Sequence, residues 1–185
     1  YLEDPEGNLT IDQVRFGDSE ASFQTSKQET PSFGFTKSAY WFQTSLEQRS
    51  TSPGEFLLAI EYPLLDQVDV YIESNNQIVK TYQVGDHQHF SKRPIAHRNF
   101  LLPLLLEPQQ SVRIFFRVET SSSMQFPLAI YGRDYLHLDE QSKLIIQGIY
   151  YGTMLVMMLY NLFLFLSLRE DTYLYYVLYV ASMAL

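Results

Sequence analysis

The sequence predicts a mainly β protein, an antiparallel β-sandwich or jelly roll, followed by transmembrane α-helices. Two observations carry this. Between residues 40 and 131 apolar side chains recur at every second position in short runs separated by turn residues, the mark of half-buried antiparallel strands. After Lys143 that pattern stops, and no Asp, Glu, Lys or Arg occurs before Arg169. The 25 residues Leu144–Leu168 would span about 38 Å as a helix, more than the ~30 Å of a bilayer's hydrocarbon core.

Each element follows from local pattern. Residues 1–38 are punctuated by Pro5, Gly7, Gly17, Pro31 and Gly34 and read as an irregular lead-in with one short strand, Ile11–Phe16. Regular alternation then places strands at Tyr40–Leu46, Phe56–Tyr62, Val68–Ile72, Ile78–Val84, Phe100–Leu105, Val112–Val118 and Leu128–Tyr131. Pro53-Gly54, Asn75-Asn76, Gly85-Asp86 and Pro108 supply the turns. The expected organisation is a β domain over 1–135, a juxtamembrane linker over 136–143, a first span over 144–168, a short loop over 169–172 and the start of a second span over 173–185. Tyr1-Leu2-Glu3-Asp4-Pro5 has neither the basic nor the apolar region of a signal peptide, and Leu185 falls inside an apolar stretch, so a longer natural protein is expected.

Charge is distributed as unevenly as hydropathy. The chain has 13 Lys and Arg and 21 Asp and Glu; setting aside Arg169, Glu170 and Asp171 leaves 12 against 19, a net −7, in the first 143 residues. Phosphate binding needs clustered cations, so nucleic acid is excluded as a partner, while a cation, a sugar or a protein stays open. There is no cysteine, hence no disulfide framework and no thiol nucleophile, which points toward a bacterial periplasm. With one cation at each end of the first span, Lys143 and Arg169, loop charge assigns no orientation.

No catalytic motif is present: no G-x-S-x-G, no phosphate loop and no H-E-x-x-H. The candidates are therefore for binding. Trp41, the single tryptophan, alternates onto a polar sheet face, where it would be a stacking platform for a sugar or simply cover the sheet. The strand Val112–Val118 turns Arg113, Phe115 and Arg117 outward, suiting an anionic or sugar ligand or a cross-strand ion pair. Arg93, His97 and Arg98 lie in a loop, where binding residues concentrate. Asp66 and Asp69 are a candidate Ca²⁺ pair, though without EF-hand spacing, and His87 with His89 form a weaker metal pair. In the first span, Gly148 and Gly152 have the spacing that lets helices approach closely, and Asn161 is a polar group at membrane depth, expected to face a neighbouring helix.

The segments Gly148-Ile149-Tyr150-Tyr151-Gly152, Tyr160-Asn161-Leu162-Phe163-Leu164-Phe165 with Arg169-Glu170-Asp171, and Tyr173-Leu174-Tyr175-Tyr176 resemble the first two spans of the bacterial seven-transmembrane receptors with diverse intracellular signalling modules. Leu2-Glu3-Asp4-Pro5, Tyr40-Trp41-Phe42, Tyr62-Pro63, Asp69-Val70-Tyr71, Gly85-Asp86, Arg93-Pro94 and Phe116-Arg117-Val118 resemble, in the same order, the type-2 extracellular domain of that family. The resemblance implies a periplasmic jelly roll similar to carbohydrate-binding modules, in an inner-membrane receptor that signals through seven helices to a histidine kinase or diguanylate cyclase. Sugar and Ca²⁺ are the ligands it implies. Two further readings accompany this one: a membrane-anchored carbohydrate- or cell-wall-binding protein without signalling output, and a surface that pairs with another receptor's periplasmic domain, including a homodimer. No catalysis is expected of the chain itself.

Overall fold

The structure, a computed structural model, describes residues 1–17 and 22–184, and the side chains of all of these except 133–143 and 184. It contains two compact units, Tyr1–Arg133 and Asp134–Leu185.

The first unit is a β-sandwich. A five-stranded antiparallel sheet has the order β1-β3-β8-β5-β6, and a three-stranded sheet has the order β10-β4-β7. The large sheet contains β1 (Leu2–Asp4), β3 (Ala39–Glu47), β5 (Gln67–Ser74), β6 (Gln77–Val84) and β8 (Ser111–Glu119). The small one contains β4 (Gly54–Ile60), β7 (Phe100–Leu106) and β10 (Leu128–Gly132). A separate ribbon pairs β2 (Ser32–Phe35) with β9 (Ser123–Gln125). The chain crosses between sheets at β3–β4–β5 and again at β6–β7–β8, so among the described residues the β5–β6 hairpin is the one pair of consecutive strands that lie side by side in either sheet.

Alternation explains the core. Tyr40 and Phe42, Val68, Val70 and Ile72, and Val112, Ile114, Phe116 and Val118 point inward from the large sheet to meet Leu58, Ile60, Phe100, Leu102 and Leu104 from the small one. At roughly 1.5–3 kcal/mol for each fully buried large apolar side chain, this layer is the main driving force of the unit. Asn75 and Asn76, at φ 50° and 61°, make the two-residue turn that joins β5 to β6 with the hand a hairpin needs.

The segment Ile11–Phe16, expected as a strand, is the helix α1. Thr10 Oγ1 accepts from the Gln13 amide, and the Gln13 side chain accepts from the Thr10 N–H at 2.8 Å. This reciprocal cap closes a helical turn, and the T-x-x-Q spacing was its sequence signal. The short strands β1, β2 and β9 lie outside the expected set. β4 ends at Ile60 rather than Tyr62 because the Glu61 N–H turns to the Pro127 carbonyl at 3.0 Å.

α1 gives the sandwich a third layer. Val14 packs with Trp41 and Phe115 on the outer face of the large sheet, joined by Leu2, Leu9, Ile11, Phe23 and Tyr71. In the second unit, α2 (Arg133–Leu168) and α3 (Asp171–Ala184) meet at Arg169, whose φ of 56° ends the first helix. The segment 136–143, expected as a linker, is helical and continuous with Leu144–Leu168, the stretch long and apolar enough to cross a membrane. α3 begins two residues earlier than expected.

Candidate functional site

Most of the expected binding residues hold the fold. Trp41, Arg117 and Asp69 sit in one cross-strand row on the outer face of the large sheet. Trp41 is 0 % exposed beneath α1 and stacks on Tyr71 with ring centroids 6.1 Å apart. As a sugar platform it is therefore covered: the residues that bury it arrive from the N-terminal lead-in, beyond the reach of strand periodicity. Arg117 donates to the Gly7 carbonyl at 2.8 Å and to the Glu119 carboxylate, with Asp69 Oδ2 3.8 Å from its other nitrogen. Asp69, 5 % exposed, also accepts from Gln67 Nε2 at 2.9 Å. These bonds tie β8 to the N-terminal turn and to β5.

The loop before β7 is organised by Arg93. Its Nη1 donates to the carbonyls of His97 at 2.7 Å and Arg98 at 2.9 Å, and its guanidinium lies 4.6 Å from the Phe100 ring and 4.9 Å from the Phe90 ring. His97 Nδ1 accepts from the Asn99 N–H at 3.0 Å. Arg93 and His97 thus close the loop upon itself, while Arg98 is exposed.

Asp66 behaves differently. It borders a cleft of about 730 Å³ together with His87, Glu119, Thr120, Ser121 and Lys37. Carboxylate oxygens of Asp66 and Asp86 and a ring nitrogen of His87 all lie within 4.8 Å of one another, and His87 Nε2 is 3.9 Å from Asp86 Oδ1. Asp69 belongs to a different environment, so the expected Asp66–Asp69 pair does not converge on one ligand. His89 lies outside the cluster too, at the start of a single 3₁₀ turn.

The β5–β6 hairpin builds this cluster. Its register pairs Val68 with Val84, so the next outward positions bring residue 66 against residue 86. Gly85 is what lets the two ends close: at φ 150° a Cβ there would sit 2.1 Å from the Asp66 carbonyl oxygen. The Asp86 N–H then reaches the Leu65 carbonyl at 2.8 Å and the His87 N–H that of Asp66 at 3.3 Å. From the other side the Ser121 N–H donates to Asp66 Oδ2 at 2.7 Å. Burial pushes the Asp66 carboxyl up, but hydrogen bonds from Ser121 and the nearby His87 charge outweigh it and hold its pKa below the ordinary value, so the group is anionic at neutral pH. Asp86 and His87 as partners of Asp66 were missed from the sequence. The signal was the Asn75-Asn76 turn, which sets the hairpin's register once the one-residue bulge in β6 is allowed for.

A second cavity, about 340 Å³, has Phe42, Phe116 and Phe126 at its base and Gln24, Thr25 and Ser26 on its rim. Phe42 and Phe126 stack at 4.2 Å. In α2, Asn161 Nδ2 donates to the Met157 carbonyl one turn earlier at 2.8 Å, and a Cβ at Gly148 or Gly152 would meet open space.

Comparison with known families agrees with this division. Residues 1–132 match the family model described as 7TMR-DISM extracellular 2, and residues 143–185 match that described as 7TM diverse intracellular signalling. No curated protein matches the chain. The chain belongs to the 7TMR-DISM receptors: a periplasmic sensory β domain followed by inner-membrane helices of a transmembrane signalling receptor.

Proposed function

We propose, on the premise of that membership, that the β domain takes up a ligand in the Asp66–His87 cleft and passes its occupancy through the membrane helices to a cytoplasmic histidine kinase or diguanylate cyclase. The observation that supports this reading best is the cleft itself, a concave site bordered by an anchored, ionised carboxylate on a unit with its own core. Three carboxylates, Glu6, Asp66 and Glu119, border the cleft against one lysine, Lys37, which favours a cation over an anion; Ca²⁺ is one such ligand. The chain contributes binding and coupling, and catalysis belongs to the output module. Ligand binding shifts the receptor only if its two signalling states bind the ligand with different affinity.

The test is output from the full-length receptor in liposomes, read as autophosphorylation or cyclic-dinucleotide synthesis. Divalent cations and a glycan panel are added on the periplasmic side. A response that is lost in Asp66→Asn is expected. Output indifferent to every addition overturns the sensing role, and a response unchanged in Asp66→Asn moves the ligand elsewhere.

The second cavity favours another reading, a membrane-anchored carbohydrate-binding protein. Its aromatic base and amide and hydroxyl rim suit a neutral sugar ring. A glycan that protects Gln24 and Thr25 in hydrogen exchange, with output unaltered, would support it.

A further inference from the structure

We propose that Asp66, Asp86 and His87 bind a divalent first-row transition-metal ion, with Zn²⁺ as the reference case, through two carboxylate oxygens and one imidazole nitrogen. This rests on the reading of the cleft as a ligand site and names the class of ligand.

The donor set decides the class. Ca²⁺ takes six to eight oxygen ligands and has no use for an imidazole. An imidazole beside two carboxylates, with further positions open to water, is the mixed nitrogen and oxygen set of Zn²⁺ and its first-row neighbours. The two carboxylates balance the ion's charge, and the acidic domain around them raises the local concentration of cations.

Rotation of side chains brings the donors to the ion. Metal–ligand bonds of about 2.0–2.2 Å in a tetrahedral site hold two ligands roughly 3.3–3.6 Å apart, and the three donors here lie within 4.8 Å of one another, so they must close by about an ångström. The rearrangement falls on the side chains free to make it. His87 is 73 % and Asp86 40 % exposed, while Asp66 is held by Ser121. The cleft leaves room on the open side for the remaining ligands.

His87 is also the residue that separates this proposal from its rivals, since its exposed side chain can be removed without touching the core. The experiment uses the full chain in nanodiscs, with Zn²⁺, Co²⁺ and Ca²⁺ followed by calorimetry and Co²⁺ also by visible absorption. Zn²⁺ is expected to bind with one ion per chain, and Co²⁺ to give d–d bands of a nitrogen-containing site. His87→Ala is expected to weaken Zn²⁺ by roughly tenfold or more and to abolish the bands, whereas His89→Ala leaves both unchanged. Equal Zn²⁺ affinity in His87→Ala, binding of Ca²⁺ without Zn²⁺, or no binding of any of the three overturns the proposal. The sensing role is judged apart from it. If Zn²⁺ binds through His87 while receptor output ignores the ion, the site stands and the sensing role fails. If output answers a glycan or Ca²⁺ while His87→Ala changes no metal affinity, the sensing role stands and the metal site fails.

Discussion

Arg15 Nε donates to Glu73 Oε2 across 2.7 Å, joining α1 to a strand 58 residues later in the chain. Both side chains are buried. Glu73 Oε1 accepts from Arg113 Nη2 at 2.6 Å, and Arg15 also donates to the Asn76 carbonyl at 2.8 Å. One carboxylate thus holds the helix and β8 together. Arg15→Ala leaves Glu73 with Arg113 as its remaining partner, so it is expected to destabilise the β domain by about 1.5–3 kcal/mol, the loss of a charge-assisted hydrogen bond, measured as a lowered urea midpoint.

The same carboxylate makes stability depend on pH. Burial pushes the Glu73 carboxyl up, but hydrogen bonds and charges from Arg113 and Arg15 outweigh it, so its pKa lies below the ordinary 4.5. A depressed folded-state pKa contributes stability that is fully present above about pH 4.5 and lost as pH falls through the folded value. The gap in unfolding free energy between wild type and Glu73→Gln should therefore narrow as pH is lowered through that window. A gap constant with pH would show that the pair is not what holds α1.

Trp41, as the single tryptophan, reports on the layer beneath α1. Its emission is expected to be blue-shifted and protected from acrylamide. Val14→Ala, which opens space against the indole, should cost about 2 kcal/mol and raise the quenching constant. Because the ring is covered, Trp41→Phe is expected to leave any glycan response of the receptor unchanged.

Gly85 makes a sharper case. Gly85→Ala sets a Cβ against the Asp66 carbonyl in a backbone conformation that L residues rarely adopt. The expected outcome is destabilisation by about 2 kcal/mol or more, with loss of binding at the cleft beyond what Asp66→Asn alone produces, checked by unfolding and calorimetry on one preparation.

The strands were legible in the sequence wherever one face is buried and the other wet, because a one-residue slip would turn Phe116 or Val70 to solvent. α1 was not: Ile11-Asp12-Gln13-Val14 alternates loosely enough to pass for a strand, and the Thr10–Gln13 cap outweighs that pattern. The ion pairing of the outer sheet face was legible in kind but not in partner. A cross-strand ion pair was one reading of Arg113 and Arg117 along β8, and only pairing with β5 sets them opposite Glu73 and Asp69. Arg93 read as a ligand residue because loop position says where a side chain lies and not what it bonds.

The extra residue in β6 has a consequence of its own. Ile72 pairs with Lys80 but Glu73 pairs with Ile78, which leaves Val79 unmatched. That single residue sets the phase of everything nearer the open end of the hairpin. Were Val79 paired opposite Ile72 instead of bulged, Asp66 would come level with Gly85 and the donors would be out of step, although the turn at Asn75-Asn76 would be intact. The hairpin works as a vernier: whether one residue at an exposed edge bulges or pairs, some distance from the cleft, decides whether Asp66, Asp86 and His87 coincide there.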